Sequence, residues 1–407
     1  MWQWPMVGMI LLLGVVLPGR LGSLGEDTDG MAPRQEGGLT PRRALLTGLA
    51  GSVGVGNISG VACALAAGGP GAIFWMWVCG LLGMGTAYAE AVLAARCPGK
   101  GAAGYIRAAG LPRGAVLFCG GCVLAALGMG GMAQANAAGD ALVQLGMPRW
   151  GAAVFLGGAA LVFTGKKLAA AGKIAEGLVP AMGALFLLLC AGVLWQGREK
   201  ILPALCAIPS AALGFRPCIG GVAGATVAAA LRQGVARGVF TNEAGLGTGP
   251  FAYGSCGGGS PRTAGRLAAL QVALDTLVLC TLTAVCLLVT GWAPGTDGAA
   301  MALSAFGRAL GPGGEAGLAL CTLLFALAAM VAWSAYGRAA LEELLPGGGG
   351  IFLPLFAAAA VLGTVLRPSG VLAACDAACL FMVLPNGWAL LRLTKRKNVK
   401  TFGKNQK

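Results

Sequence analysis

Apolar runs separated by short polar segments recur along nearly the whole chain. They predict eleven membrane-spanning helices, at 5–18, 44–67, 72–96, 114–138, 151–165, 176–196, 218–240, 265–292, 316–338, 351–366 and 370–393. The first run is shorter than the ~20 residues a crossing needs, a length also met in signal-peptide cores. Met1–Met6 carries no Lys or Arg, which favours a true first helix. Clustered glycines interrupt two of the runs. One reads Gly51-Ser-Val-Gly-Val-Gly-Asn-Ile-Ser-Gly60. The other reads Cys218-Ile-Gly-Gly-Val-Ala-Gly224 and continues into Gly238-Val-Phe-Thr-Asn-Glu-Ala-Gly-Leu-Gly247.

A helix interrupted at membrane depth frees backbone N–H and C=O groups that hydrocarbon cannot satisfy. They must face protein, water or a ligand. Two such breaks in corresponding positions of two halves are the mark of a secondary transporter with its site at the midplane. With the first run set aside, ten helices divide five and five, and each group opens with a broken helix. An odd number per group inserts the groups in opposite orientation, an inverted repeat. The symmetry lies in hydropathy and glycine placement, without a residue-level repeat. The expected organisation is an N-terminal helix and cytoplasmic loop (1–43), a ten-helix core (44–393, with repeats 44–196 and 218–393) and a basic tail (394–407).

Composition agrees. Of 407 residues, 57% are hydrophobic and 11% charged, against about 25% charged in globular domains. The formal charge of +14 would suggest a nucleic-acid partner in a soluble protein. Here the charges sit in short loops and report orientation instead. With the basic tail placed in the cytoplasm, the N-terminus falls outside. The outer segments then hold Arg149, Arg198, Lys200, Arg216, Arg308 and Arg367, and Arg232 lies within a span. All other Lys and Arg residues are inside, the positive-inside pattern of a multi-pass cell-membrane protein. Histidine is absent, removing the commonest general base and metal ligand. Most of the 14 cysteines lie within apolar runs and read as small hydrophobes. Cys119 and Cys122 have redox spacing but no neighbouring cation. Cys206 and Cys218 flank one outer loop and are a candidate disulfide.

At the first break, a half-helix ending near Val53 presents carbonyls to a cation. The one beginning near Asn57 presents N–H groups and a positive dipole end to a carboxylate. Gly54, Val55, Gly56 and Asn57 are therefore candidate substrate contacts, with Gly54 and Gly56 expected to supply backbone freedom. Tight helix packing is the competing reading of these glycines. Gly220, Gly221 and Gly224 would face them across the pseudo-two-fold. Gln134, with Asn136, is a polar group inside a span, suited to substrate binding or to interhelical hydrogen bonding. Trp333 would wall the site. Arg237 and Glu243 are read as an ion pair near the inner face, either gating or structural. Glu90 and Asp275 lie near helix ends and are open to both readings.

These residues resemble the alanine or glycine:cation symporter family. Gly56-Asn-Ile-Ser-Gly-Val-Ala62, Gly69-Pro-Gly-Ala-Ile-Phe-Trp-Met-Trp77, Tyr88-Ala-Glu-Ala-Val-Leu-Ala94, Gly234-Val-Ala-Arg-Gly-Val-Phe-Thr-Asn-Glu-Ala-Gly-Leu-Gly247, Asp275-Thr-Leu-Val-Leu-Cys-Thr-Leu-Thr283 and Pro385-Asn386 carry the resemblance, over about residues 40 to 390. It implies an all-α inverted-repeat amino-acid transporter fold, no cofactor, and cotransport of alanine or glycine with sodium. It also implies a substrate site lined by Gly54 to Asn57, Gly220 to Gly224, Gln134 and Trp333. The family's Phe-Ala-x-Ser-Thr, where sodium is expected to be held beside carbonyls near Val53, is Phe325-Ala-Leu-Ala-Ala329 here. Backbone oxygens of Val53 and Phe325 then remain as metal ligands. Proton-coupled or uncoupled transport on the same fold is the second reading. A non-transporting sensor is a third. A membrane enzyme is disfavoured because no nucleophile–base set converges.

Overall fold

The computed structural model describes residues 3–21, 39–97, 101–164, 168–213, 227–254, 256, 260–292 and 295–395. Among these residues the regular elements are helical, apart from one isolated bridge between Leu39 and Cys256. In chain order they are α1 (Gln3–Val16), α2 (Pro41–Ser52), α3 (Ser59–Gly68), α4 (Gly71–Ala95), α5 (Gly101–Ala108), α6 (Pro112–Gln144), α7 (Arg149–Phe163), α8 (Leu168–Gln196), α9 (Ile201–Ala212), α10 (Val227–Asn242), α11 (Gly249–Tyr253), α12 (Pro261–Thr290), α13 (Gly298–Leu310), α14 (Pro312–Leu344), α15 (Gly349–Val365) and α16 (Pro368–Leu393).

Local chemistry sets several of the starts. Thr40 caps α2 by accepting from the Arg43 N–H at 3.3 Å, and Ser260 caps α12 by accepting from the Thr263 N–H at 3.3 Å. In both, proline follows at the first helical position, where a missing N–H costs nothing. Helix α14 lacks a polar face through its middle and is correspondingly buried there, from Leu318 through Phe325 and Ala329 to Tyr336. It packs against α2, α6, α8 and α13. A second group forms around α4, which lies against α10 and α12. Small residues let these backbones approach. A side chain at Gly234 would run into the Ala72 carbonyl, and one at Gly238 would lie 3.0 Å from Cys79.

Every expected apolar range carries helix in its described part, and six helices are individually long and apolar enough to cross a bilayer: α4, α6, α8, α12, α14 and the 370–393 part of α16. A seventh is the pair α2 and α3, bent by 57° at the first glycine cluster. Helices α1, α7 and α15 are apolar but shorter. Hydropathy did not predict α5, α9, α11 or α13, which are too short or too mixed in polarity to read as spans. Helix α9 occupies the expected outer loop, where Cys206 is an exposed free thiol; Cys218 lies outside the described residues. Cys119 and Cys122 are buried free thiols within α6.

Ion pairs tie the helix ends: Arg43 to Glu176 at 2.8 Å, Arg149 to Asp140 at 2.6 Å, and Arg107 to Glu343. Exposed pairs of this kind contribute about 0–1 kcal/mol each, so packing of the apolar spans carries the fold. Gly234→Val tests that packing. It should overpack the α4–α10 contact at a cost of about 1–3 kcal/mol and lower the thermal midpoint in detergent, read by size-exclusion chromatography after heating. An unchanged midpoint would contradict the contact.

Candidate functional site

Helix α2 ends at Ser52, where the Val53 N–H makes the last helical bond to the Leu49 carbonyl at 2.6 Å. Gly54 is extended (φ −129°, ψ −159°), Val55–Asn57 form one 3-10 turn, and α3 begins at Ser59. The break expected near Val53–Asn57 is present. Its physical basis differs from the expectation, because neither Gly54 nor Gly56 has positive φ. Glycine is needed for close approach. A Cβ on Gly54 would lie 2.8 Å from Gln134 Oε1 and 3.1 Å from Ala329, and one on Gly56 would lie 3.1 Å from Phe240 and Thr241.

Side chains from three helices take up the freed backbone. The Gly54 N–H donates to Asn57 Oδ1 at 3.1 Å, and the Val55 N–H donates to Gln134 Oε1 at 3.0 Å. Gln134 in turn donates from Nε2 to the Met129 carbonyl at 3.0 Å. Asn57 donates from Nδ2 to Asp275 Oδ1 at 2.8 Å, and its carbonyl accepts from Thr283 Oγ1 at 2.7 Å. Trp333 Nε1 donates to the Gly51 carbonyl at 3.2 Å, closing the C-terminal end of α2. Gln134 and Trp333 are thus brought to the first break. Met129 and Asp275 lie in π-helical turns, Ala126–Met132 of α6 and Ala273–Cys280 of α12. Such turns interrupt the normal ladder and recur at functional sites. Sequence periodicity did not reveal them, since a single-turn insertion barely shifts the apolar pattern. Asp275 inside an apolar run was the available signal.

Gly54 stands beside Ala329, and Phe325 lies one turn earlier on α14, its ring 5.6 Å from that of Phe186. Asn136 points elsewhere, donating to the Gly363 and Leu366 carbonyls at 2.8 Å each, as interhelical glue at the end of α15. Gly220, Gly221 and Gly224 lie outside the described residues. The described part of the second run breaks further along. Helix α10 stops at Asn242, whose Oδ1 accepts from the Ala244 N–H at 2.9 Å, and α11 begins at Gly249. Between them Glu243 is the one non-glycine residue with positive φ among those described, at 58°. This interruption lies alongside the first: a Cβ on Gly51 would be 3.4 Å from Glu243 Oε1.

The expected pairing of Arg237 with Glu243 does not form. Arg237 Nη2 donates to Asp376 Oδ1 and Oδ2 at 2.6 and 2.7 Å, and its guanidinium lies 5.4 Å from the centre of the Phe240 ring. The reason is geometric. Residues 237 and 243 are six apart, on different faces of the helix end, and the turn at 243 sends the glutamate toward α11. There Glu243 Oε2 accepts from Thr248 Oγ1 at 2.5 Å. Glu90 is buried in a related network. It accepts from Asn386 Nδ2 at 2.5 Å and from the Gly247 N–H at 3.1 Å, while Tyr105 donates to Asn386 Oδ1 at 2.5 Å.

A narrow cleft reaches the first break between Val55, Ser59, Ala133, Asn136, Phe240 and Val371. Its volume, about 20 Å³, matches a single water. Admitting an amino acid therefore requires the surrounding helices to part.

An all-helical bundle of apolar spans, one of them unwound inside the bundle and bordered by π-turns, is the architecture of a membrane transporter. The sodium:alanine symporter family model matches residues 1–407, and the chain belongs to that family. It is 36% identical over 340 residues to the sodium/alanine symporter AgcS of Methanococcus maripaludis, covering 76% of this chain and 72% of the relative. It is 33% identical over 331 residues to the probable sodium/glutamine symporter GlnT of Bacillus subtilis, covering 76% and 66%. Over 337 residues it is 30% identical to the putative sodium/proton-dependent alanine carrier protein YrbD of the same organism, covering 79% and 63%.

Gly56→Leu places a branched side chain against Phe240 and Thr241 at the break. Substrate transport should be abolished with membrane expression largely retained, read by uptake and quantitative immunoblot. Uptake at the wild-type rate would contradict the placement of the site.

Proposed function

We propose that this chain is a secondary active transporter that imports a small neutral amino acid, alanine or glycine, together with sodium by alternating access. The observation that carries this reading is the break at Val53–Ile58, where N–H groups at Gly54 and Val55 are held by neutral side-chain oxygens of Asn57 and Gln134. A carboxylate is a stronger acceptor than either amide oxygen. Substrate binding would exchange Gln134 for the carboxylate at the N-terminal dipole end of α3. Trp333 and Gly54 to Asn57 would then close around a methyl-sized side chain, with Gly220, Gly221 and Gly224 opposite. Sodium would sit at backbone oxygens of Val53 and Phe325.

In the same reading the chain crosses the cell membrane eleven times, with its N-terminus outside and its C-terminus in the cytoplasm. The core 44–393 is a five-plus-five inverted repeat, and 1–43 and 394–407 are peripheral. The second broken helix of that repeat would be at Gly220–Gly224, and the chain that follows it turns at Glu243, whose side chain reaches the last turn of α2. A proton-coupled or uncoupled cycle is the second reading. It is favoured by Ala328 and Ala329, buried residues without hydroxyls, of which Ala329 stands beside the break.

Uptake of labelled alanine into proteoliposomes should exceed equilibrium only under an inward sodium gradient. Equal uptake with and without sodium selects the second reading, and no uptake of any small amino acid contradicts both. Introducing oxygens through Ala328→Ser with Ala329→Thr should lower the sodium concentration for half-maximal uptake several-fold, as expected if hard oxygen ligands set ion affinity. An unchanged sodium dependence would remove Phe325–Ala329 from the ion site.

A further inference from the structure

The Arg237–Asp376 pair is built in a way that structural stabilisation does not explain. Arg237 is 2% exposed and Asp376 is 7% exposed. A guanidinium and a carboxylate meet best as two parallel N–H to O bonds. Here one nitrogen, Nη2, serves both Asp376 oxygens, while Nε and Nη1 are buried without a hydrogen-bond partner. Three of the five N–H groups of a fixed cation are therefore left unpaired inside the protein, at substantial desolvation cost.

The pair also stands next to the cleft. Phe240, beneath the guanidinium, lines that cleft. Val371 and Leu372 line it from α16, one turn before Asp376. The far wall is Val55, in the 3-10 turn of the first break. The pair itself does not line the cleft: the Phe240 ring lies between the guanidinium and that space, so a movement of Phe240 would bring a fixed cation with unpartnered donors, and the anion beside it, into contact with a solute there.

We propose that Arg237 and Asp376 form a docking pair for the charged ends of a small zwitterion, distinct from the backbone site at the broken helix. Arg237 receives the carboxylate on Nε and Nη1, and Asp376 faces the ammonium. A zwitterion adds no net charge to a neutral pair, so it can be accommodated in the low-dielectric interior where a simple anion is penalised. The walls, Gly60, Ala133 and Val371, leave space for a short side chain only once the cleft widens. This inference rests on the transporter reading above.

The test is uptake kinetics of the full-length protein in proteoliposomes. Arg237→Lys keeps the charge but loses the guanidinium donors. Arg237→Met with Asp376→Asn removes both charges together and avoids leaving one unpaired. Each should raise KM for alanine about tenfold or more, the value of one lost charge-assisted bond, with kcat changed far less. Wild-type protein should discriminate strongly between alanine and alanine methyl ester as competitors, and Arg237→Lys should lower that discrimination about tenfold, the remainder belonging to the backbone site at the broken helix. Wild-type KM in either variant, or a fall in kcat at constant KM, overturns the docking role. If neither variant keeps the wild-type thermal midpoint, the pair is structural and the proposal also falls. Failure of the wild type to move any small amino acid instead overturns the transporter reading, which separates the two failures.

Discussion

Six residues of unwound backbone, Val53 to Ile58, sit inside a bundle of apolar helices, and their polar groups must find partners there. That requirement organises the centre of the molecule. Gln134 reaches the Val55 N–H from α6, Asp275 holds Asn57 from α12, and Trp333 closes the Gly51 carbonyl from α14. Two of these helices are themselves distorted there. Both α6 and α12 contain a π-turn beside the break, and Gln134 draws on a carbonyl of its own π-turn. The groups that meet the freed backbone directly are neutral amides, a hydroxyl and an indole, with the carboxyl of Asp275 one step behind Asn57. A neutral acceptor such as Gln134 can be exchanged for a stronger one at modest cost.

The same logic separates residues whose hydrogen bonds are complete from one held under backbone strain. Asn136 makes two short bonds to carbonyls at the end of α15, leaving little to offer a solute. Glu90, Asn386 and Tyr105 form a closed buried chain with the Gly247 N–H. Glu243 is different. It holds a left-handed backbone conformation that costs a non-glycine residue about 1 kcal/mol or more, directly beside the end of α2. Strain of this kind persists where surrounding contacts impose it. Here they include the Thr248 hydroxyl and the bond from the Leu246 N–H to the Glu243 carbonyl at 3.0 Å.

Much of this was legible in the sequence. Apolar run length predicted the helical, polytopic class and the positions of the long helices, and the Gly-x-Gly-Asn cluster predicted the first break to within two residues. Gln134 and Trp333 were identifiable as polar or bulky groups in apolar surroundings, and the structure brings both to the break. What escaped depends on contacts between distant parts of the chain. Arg237 was assigned the nearest carboxylate in sequence, yet its partner Asp376 is 139 residues away. The glycines were read as sources of unusual backbone angles. They serve instead to admit Gln134, Ala329 and Phe240, a role that cannot be told apart before the neighbours are known. The π-turns left no periodic signal, and the turn at Glu243 was visible only as an Asn-Glu-Ala-Gly segment of unassigned geometry.

The central claim is that the broken helix offers its backbone to a solute and that Gln134 stands in the solute's place. A density map of the protein in lipid nanodiscs with saturating alanine tests this most directly. The carboxylate should lie within hydrogen-bonding distance of the N–H groups between Gly54 and Asn57, with Gln134 Oε1 displaced from Val55. A continuous helix through residues 50–60, or alanine density elsewhere with the Gln134–Val55 bond intact, would contradict it.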